Sequence, residues 1–513
     1  MTTHIDQTRI EREVTDYYRY ATFSHTWEDN EPSFEKVVHV VVYNLEEYPT
    51  HEKLRMFCNI VRGAGFNWAW SDTCCINKTD HVVLQEALVA MFKWYEGSAM
   101  TIIYLRGVRS PSRPGDLVKS IWNTRGWTFQ EYHASKVVRF YTEDWTPYLN
   151  LDIFNHKESP EIIAEMEQAT GVPARALMAL RPGSNDIREK LCLASRRETT
   201  FVEDAAYSLL GIFSMTLPVV YGEGDRAVGR LLQQLLASSG DTSILAWTGK
   251  SGSLNSCLPA STAVFEEFPP AHVPPFIEAA KMEVITTRIR SSSFNASSAT
   301  RLYDRLHELP VPSFSEKRMK LPCLIFKLGQ VSETSSTSGR VFRARADALG
   351  VVEITTNEDL SQLDSLTLVH PWIDFLLDRR PIGDFTEILS QEFRYHSASP
   401  ISYSPSSSSA SSTAPAVHRR RPTFFDRFRY FSAQRLDALF PPPSPESPGD
   451  KRTQAIRLVA RLRQQFGALL FTPTRRNMAE YRRVAAESMI TVRIQENTSL
   501  ETLIDSVRVL DVL

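Results

Sequence analysis

The chain has 513 residues, with 58 Lys and Arg against 60 Asp and Glu, a net charge of -2, 42% apolar and 23% charged residues. That balance is ordinary for soluble globular protein, its near-neutral charge gives no field that favours nucleic acid or an anionic membrane, and its length suggests roughly two to four domains. The first twenty residues carry no apolar signal core, no apolar run approaches the roughly 20 residues of a spanning helix, and the six cysteines (58, 74, 75, 192, 257 and 323) are too scattered for a disulfide framework. A cytoplasmic protein without a transmembrane segment is expected.

In chain order, residues 1–18 read as a polar lead-in. Tyr20–Ser24 reads as a first buried strand, running into the polar loop His25-Thr26-Trp27-Glu28-Asp29. Lys36–Tyr43 is β-branched and reads as a second strand or edge hairpin. Between His51 and Ala64 the apolar residues Leu54, Phe57, Cys58 and Val61 recur at helical spacing. Phe66–Trp70 is a strand, followed by Asp72, Cys74 and Cys75 and a polar turn. From Val82 to Ser98 a stripe of Leu84, Leu88, Met91, Phe92 and Tyr95, continued by Ala99, makes a helix with an apolar face. Glu86, at about 100° per residue, lies nearly opposite that stripe. Met100–Leu105 is a strand, Val118–Tyr132 is helical around Gly126, and Lys136–Tyr141 is a strand. This alternation predicts an α/β layer with a mainly parallel sheet over 19–145.

Residues 146–262 turn helical. Residues 263–396 carry short β-like runs such as LPCLIFKLG and GVVEITT. Residues 397–424 combine a Ser-rich tract with a basic segment, a composition that predicts disorder. Residues 425–513 read as a helical region behind the Pro-rich linker Pro441–Gly449. Ile456, Val459, Leu462 and Phe466 are taken as one helix face, with basic residues opposite. No motif for nucleic-acid recognition accompanies those basic residues.

Three motifs in order, YATFSHTWED, WAWSDTCCINK with QEALVAMFKWY, and SIWNTRGWTFQEY, resemble the fungal heterokaryon-incompatibility (HET) domain. NHKESPEIIAEMEQATGV, REKLCLASRRETTFVEDAAYSLLGIF and LPVVYGEGDRAVGRLLQQLL then match its long mushroom-type members, so the resemblance spans about residues 18–262. It implies a role in non-self recognition and the regulated cell death that follows fusion of unlike strains. It also implies homotypic self-association, with a sensor or allelic protein as partner. The fold it implies is distantly like the Toll/interleukin-1 receptor (TIR) domain: doubly wound and mainly parallel, here with a helical extension and a β-containing, partly disordered C-terminal region.

Several TIR domains cleave NAD at the nicotinamide–ribose bond with a helix-borne glutamate. Carried over, that role falls on Glu86, with NAD as substrate and no cofactor required. A carboxylate there can stabilise the oxocarbenium character of the bond being broken. An acid in a first helical turn is also favoured by the helix dipole alone. A non-catalytic interaction module is the third alternative. The ligand-facing candidates are Ser24, His25 and Trp27 on the first loop, Asp72 and Cys75 after the second strand, and Arg125, Trp127, Gln130 and Glu131 in the third motif. Against these stand capping for Asp72, core packing for Trp127 and an ion pair for Arg125 with Glu131. Cys75 with His81 could make a nucleophile pair, but no second Cys or His pair is spaced for a metal. Gly222-Glu223-Gly224 lacks the Lys and length of a phosphate loop and reads as a turn.

Overall fold

The computed structural model describes residues 13–266, 295–334, 340–363, 365–372, 451–474, 477 and 479–513. Residues 1–12, the Ser-rich and basic stretch 397–424 and the Pro-rich linker Pro441–Gly449 lie outside the described residues. The chain divides into two units. One comprises Met1–Pro275, Asp304–Phe375 and Leu462–Leu513; the other comprises Phe276–Tyr303 and Leu376–Arg461.

The first unit opens with seven elements: β1 (Tyr20–Ser24), α1 (Pro49–Gly63), β2 (Trp68–Trp70), α2 (His81–Gly97), β3 (Met100–Leu105), α3 (Gly126–Ala134) and β4 (Val138–Thr142). The strands lie in the order β2-β1-β3-β4, and every pairing is parallel. Parallel neighbours need crossover connections, and the three helices supply them. The strand period of two then sorts side chains onto opposite faces. Ala21, Phe23, Met100 and Ile102 pack with Leu54, Phe57 and Val61 of α1. Ile103, Leu105, Val138 and Phe140 share the other core with Leu88, Met91, Phe92 and Tyr95 of α2 and Phe129 and Tyr132 of α3. Helices therefore cover both faces. The chain reverses direction across β1, so β1 and β3 flank the topological switch point.

Local chemistry sets the helix starts. Pro49 occupies the first turn of α1, where its missing N–H costs nothing. Asp80 caps α2, accepting from the Val82 and Val83 amides at 2.9 and 3.2 Å. The expected strand over Lys36–Tyr43 is not formed. Phe34–Val37 is a short helix and Val42–Asn44 a single 3-10 turn. Val38, Val40 and Val41 are exposed, and with no ladder partner their β-branching has nothing to act on.

A helical extension follows, with α4 (Pro160–Thr170), α5 (Ile187–Ser195) and α6 (Arg226–Ser239). Its buried leucines on α6, Leu231, Leu232, Leu235 and Leu236, belong to the same core as α2 and α3. The closest approach is at Gly211, where an added Cβ would stand 2.1 Å from the Phe92 Cβ.

Strands β5 (Ser313–Ser315), β6 (Arg318–Thr334), β7 (Arg340–Ala346), β8 (Gly350–Thr356) and β9 (Thr367–Pro371) come next. After the second unit come β10 (Gln465–Pro473), β11 (Glu480–Val484), β12 (Ile490–Arg493) and β13 (Val507–Val512). The expectation of a helical 425–513 is thus corrected. Lys451–Leu462 is helical, but Phe466 lies in β10, whose run QFGALLFTP is buried on both faces. A short, doubly buried apolar run suits a strand as well as a helix, and only its pairing decides. Five of these strands close a ring: β10 pairs β11, β11 pairs β13, β13 pairs β6, β6 pairs β9, and β9 returns to β10. The ring is joined to the helical extension by Arg483, which donates to the Leu245 and Trp247 carbonyls at 2.8 and 2.5 Å and lies 3.8 Å from the Trp247 ring centre.

In the second unit, the described residues lie in the helices Ala296–His307 and Lys451–Leu462 and the residue before the first. Tyr303 donates to Gln454 at 2.9 Å. Among the described residues no helix is long and apolar enough to cross a membrane.

Gly211→Ala should lower stability by about 1–3 kcal/mol through overpacking against Phe92. Gly63→Ala, at a helical position with open space around it, should raise stability by about 0.5–1 kcal/mol. Urea unfolding of the two variants checks both signs.

Candidate functional site

In open parallel sheets, ligands gather at the carboxyl ends of the strands near the switch point. Here that place holds two polar layers. The inner layer is closed. Ser24, the last residue of β1, is fully buried. Its hydroxyl donates to Glu131 Oε2 at 2.5 Å and accepts from the Trp122 indole at 2.8 Å. The Tyr95 hydroxyl donates to the Phe23 carbonyl at 2.7 Å and also lies against Glu131. Burial, and then the charge of Asp72, pushes the Glu131 carboxyl up to about 8, although Ser24, Tyr95 and Arg197 act to lower it. Glu131 therefore keeps its proton at neutral pH.

The outer layer is ionised. Asp72 starts a short helical turn, Asp72–Cys75, directly after β2. It accepts from the Trp27 indole at 2.9 Å and lies 3.6 Å from His25 Nε2. Burial acts to raise its carboxyl, but His25, Lys78 and the Trp27 indole outweigh that and hold it below the usual aspartate value. His25, buried and stacked on Phe23, also has Nδ1 3.6 Å from Glu31. Trp27 is 54% exposed, with the Lys78 ammonium 3.7 Å from its ring centre. Lys53, buried on α1, pairs with Glu28 at 3.0 Å and with Glu31, and Arg106 after β3 reaches Glu28 at 3.2 Å. These ion pairs hold the loop after β1 against α1 and the end of β3.

The structure thus brings Ser24, His25, Trp27, Asp72 and Glu131 together. It divides the rest. Cys75 is exposed at the end of the same turn. Arg125 is turned to the extension, donating to Thr200 at 2.9 Å, and makes no ion pair with Glu131. Trp127 lies near Asp204 and acts to lower its carboxyl, against the larger effect of burial. Gln130 is buried with its Nε2 unpartnered. Glu86 is exposed and makes no hydrogen bond or ion pair with a described residue. The Gly222–Gly224 turn offers its two glycine amides, at 2.8 Å each, to the Glu203 carboxylate. Tyr95, Trp122, Lys53 and Lys78 escape sequence reasoning. Tyr95 sits on an apolar stripe and Trp122 looks like core. Lys53 meets acidic partners, and Lys78 the Trp27 ring, that are distant in sequence.

Chemically, two nearby carboxyl groups with values pushed apart are the usual basis of an acid and base pair. Glu131 can hold and return a proton, while Asp72 can offer charge to a cation or hydroxyl. Among the described residues no His, Cys, Asp and Glu group is arranged to hold a metal ion.

The Glu131 proton has a pH signature. A folded-state value raised above the ordinary 4.5 gives a contribution fully present below about 4.5 and lost as the pH climbs towards about 8. Glu131→Gln should remove a slope of up to about 1.4 kcal/mol per pH unit within that window. Unfolding curves of both proteins from pH 4 to 9 test this, and parallel curves would refute it.

Residues 20–116 match the family described as heterokaryon incompatibility protein (HET). The chain is also 32% identical over 232 residues to vegetative incompatibility protein HET-E-1 of Podospora anserina. That match takes in 42% of this chain and only 16% of the longer protein. No solved structure matches. The likeness runs over a stretch longer than the matched domain, and residues 20–116 of this chain carry a HET domain.

Proposed function

We propose that this chain is a fungal incompatibility effector, which promotes regulated cell death through self-association of its HET domain. The observation that carries the reading is the 32% identity over 232 residues to a vegetative incompatibility protein. Gly211 against Phe92 adds a physical reason to treat the sheet domain and extension as one working body. A sensor or allelic protein would supply the trigger. Induced expression of the full chain in fungal cells should arrest growth and cause death. Light scattering should show assemblies that grow with concentration. Normal growth at high expression would sink the reading.

A second reading, hydrolysis of NAD by a TIR-like site, is favoured by one specific observation. A proton-holding Glu131 and an ionised Asp72 flank the switch point of a parallel sheet with helices on both faces. Glu131 is then a better carboxyl than Glu86, which stands in solvent apart from this pair. Purified protein incubated with NAD should release nicotinamide. Glu131→Gln should cut the rate by about 10²-fold or more, and Glu86→Gln should not. Unaltered NAD in dying cells would leave self-association alone as the mechanism.

A further inference from the structure

The C-terminal strands leave two edges unpaired, and neither reading above uses the space between them. β8 and β12 stand at the two ends of the strand order, β8 pairing with β7 and β12 with β10. The chain on either side of β12 nonetheless meets the β8 segment twice. The Glu487 amide donates to the Thr355 carbonyl at 2.9 Å, and the Gln495 amide donates to the Ala348 carbonyl at 2.8 Å. The two segments therefore run antiparallel and are pinned at both ends. Seven positions separate the pins on one side and eight on the other, so the two edges do not share one register. Between the pins they form no ladder. A cavity of about 530 Å³ opens there, with Val351 and Val352 on one wall and Thr491 and Arg493 on the other. That volume falls within the range of ligand pockets, about 300–1,000 Å³.

The β8 wall is a strand edge. Thr355 turns its carbonyl away from β7, so the two-residue period turns the amides and carbonyls of Glu353 and Val351 the same way. Among the described residues no backbone group pairs with them there. Donors and acceptors repeated at every second residue are matched by another extended backbone. The opposite wall supplies charge. Arg493 is the one charged residue lining the cavity. Its Nε donates to the Arg463 carbonyl at 3.0 Å, which fixes the guanidinium, while Nη2 stands 3.5 Å from the exposed Glu496 carboxylate. A planar guanidinium held in this way suits a carboxylate.

We propose that this slit binds an acidic peptide. An extended segment of a partner protein adds its backbone to the β8 edge and sets a carboxylate side chain on Arg493, in place of Glu496. The pins fix both walls before the peptide arrives, so little ordering is left for the binding step. Seven positions at about 3.3 Å per residue leave room for about five residues of extended chain. The site lies wholly in the C-terminal strands and stands whether or not Glu131 and Asp72 hydrolyse NAD.

The probe is a blocked, fluorescein-labelled pentapeptide in which valine and threonine flank a central aspartate. It is titrated into the full chain and followed by anisotropy. Saturable binding with a Kd below about 1 mM is expected. No saturation at that concentration, or displacement of the probe by equimolar sodium acetate, would overturn the peptide site. A probe methylated on its backbone nitrogens should bind about tenfold more weakly or worse, and equal affinity would overturn backbone pairing. Arg493→Gln should weaken the aspartate probe about tenfold and leave its asparagine analogue unchanged, and equal losses would overturn the carboxylate contact. Val351→Pro removes an outward N–H without touching the ladder to β7. Val351 is 75% exposed, so this variant should fold and lose affinity, and unchanged affinity would overturn the placement. The wild-type chain gives the same answer without a variant. The probe should slow hydrogen exchange over residues 350–354, and unaltered exchange there would overturn the placement as well.

Discussion

The short contact between Ser24 and Glu131 joins elements that are 107 residues apart in sequence. It fixes the end of β1 to α3, and through Trp122 it also fixes the segment before that helix. A buried carboxyl without partners would cost several kcal/mol. Here the cost is lowered by retaining the proton and by the surrounding hydroxyls. The outer layer depends on this knot, because the loop carrying His25 and Trp27 begins at Ser24. Its orientation relative to Asp72 is set by a residue that cannot shift without exposing a polar gap.

The burial of charge recurs farther along the chain. Arg483 enters the interface between the strand ring and the helical extension, and burial lowers it to about 10, still high enough to keep its charge at neutral pH. Two backbone carbonyls and an indole face replace its water. The arrangement fits guanidinium, whose planar fork donates in fixed directions while its face stacks on an aromatic ring. One residue of β11 thereby registers the ring against a segment 238 positions earlier.

Much of the N-terminal architecture was legible because period and punctuation agree. Tyr20–Ser24, the α2 stripe and Met100–Leu105 each show their burial pattern in one dimension. The parallel sheet follows from their alternation with helices. Legibility fails where the partner decides. Lys36–Tyr43 has strand composition without a neighbour to pair with. Gln465–Pro473 has a run compatible with either helix or strand, resolved by ladders to β9, β11 and β12. At the site, Ser24, His25, Trp27, Asp72 and Glu131 could be picked out by motif and loop position. The choice of Glu86 rests on helical phase and on the resemblance to TIR domains. Phase says which way a side chain points, but not that Glu131 would meet Ser24 and Trp122 inside the fold.

The strand ring has a consequence for how this protein can vary in length. Its closure requires β9 and β10, which are antiparallel neighbours although residues 372–464 separate them in sequence. Their ends are held close by backbone hydrogen bonds. The entropy of closing a connection between such ends grows only with the logarithm of its length, about 0.6 kcal/mol per doubling. The barrel therefore acts as a socket that tolerates inserts of very different size. The connection between Trp372 and Lys451 can lengthen, shorten or change composition at little cost to the ring, provided β9 and β10 still meet.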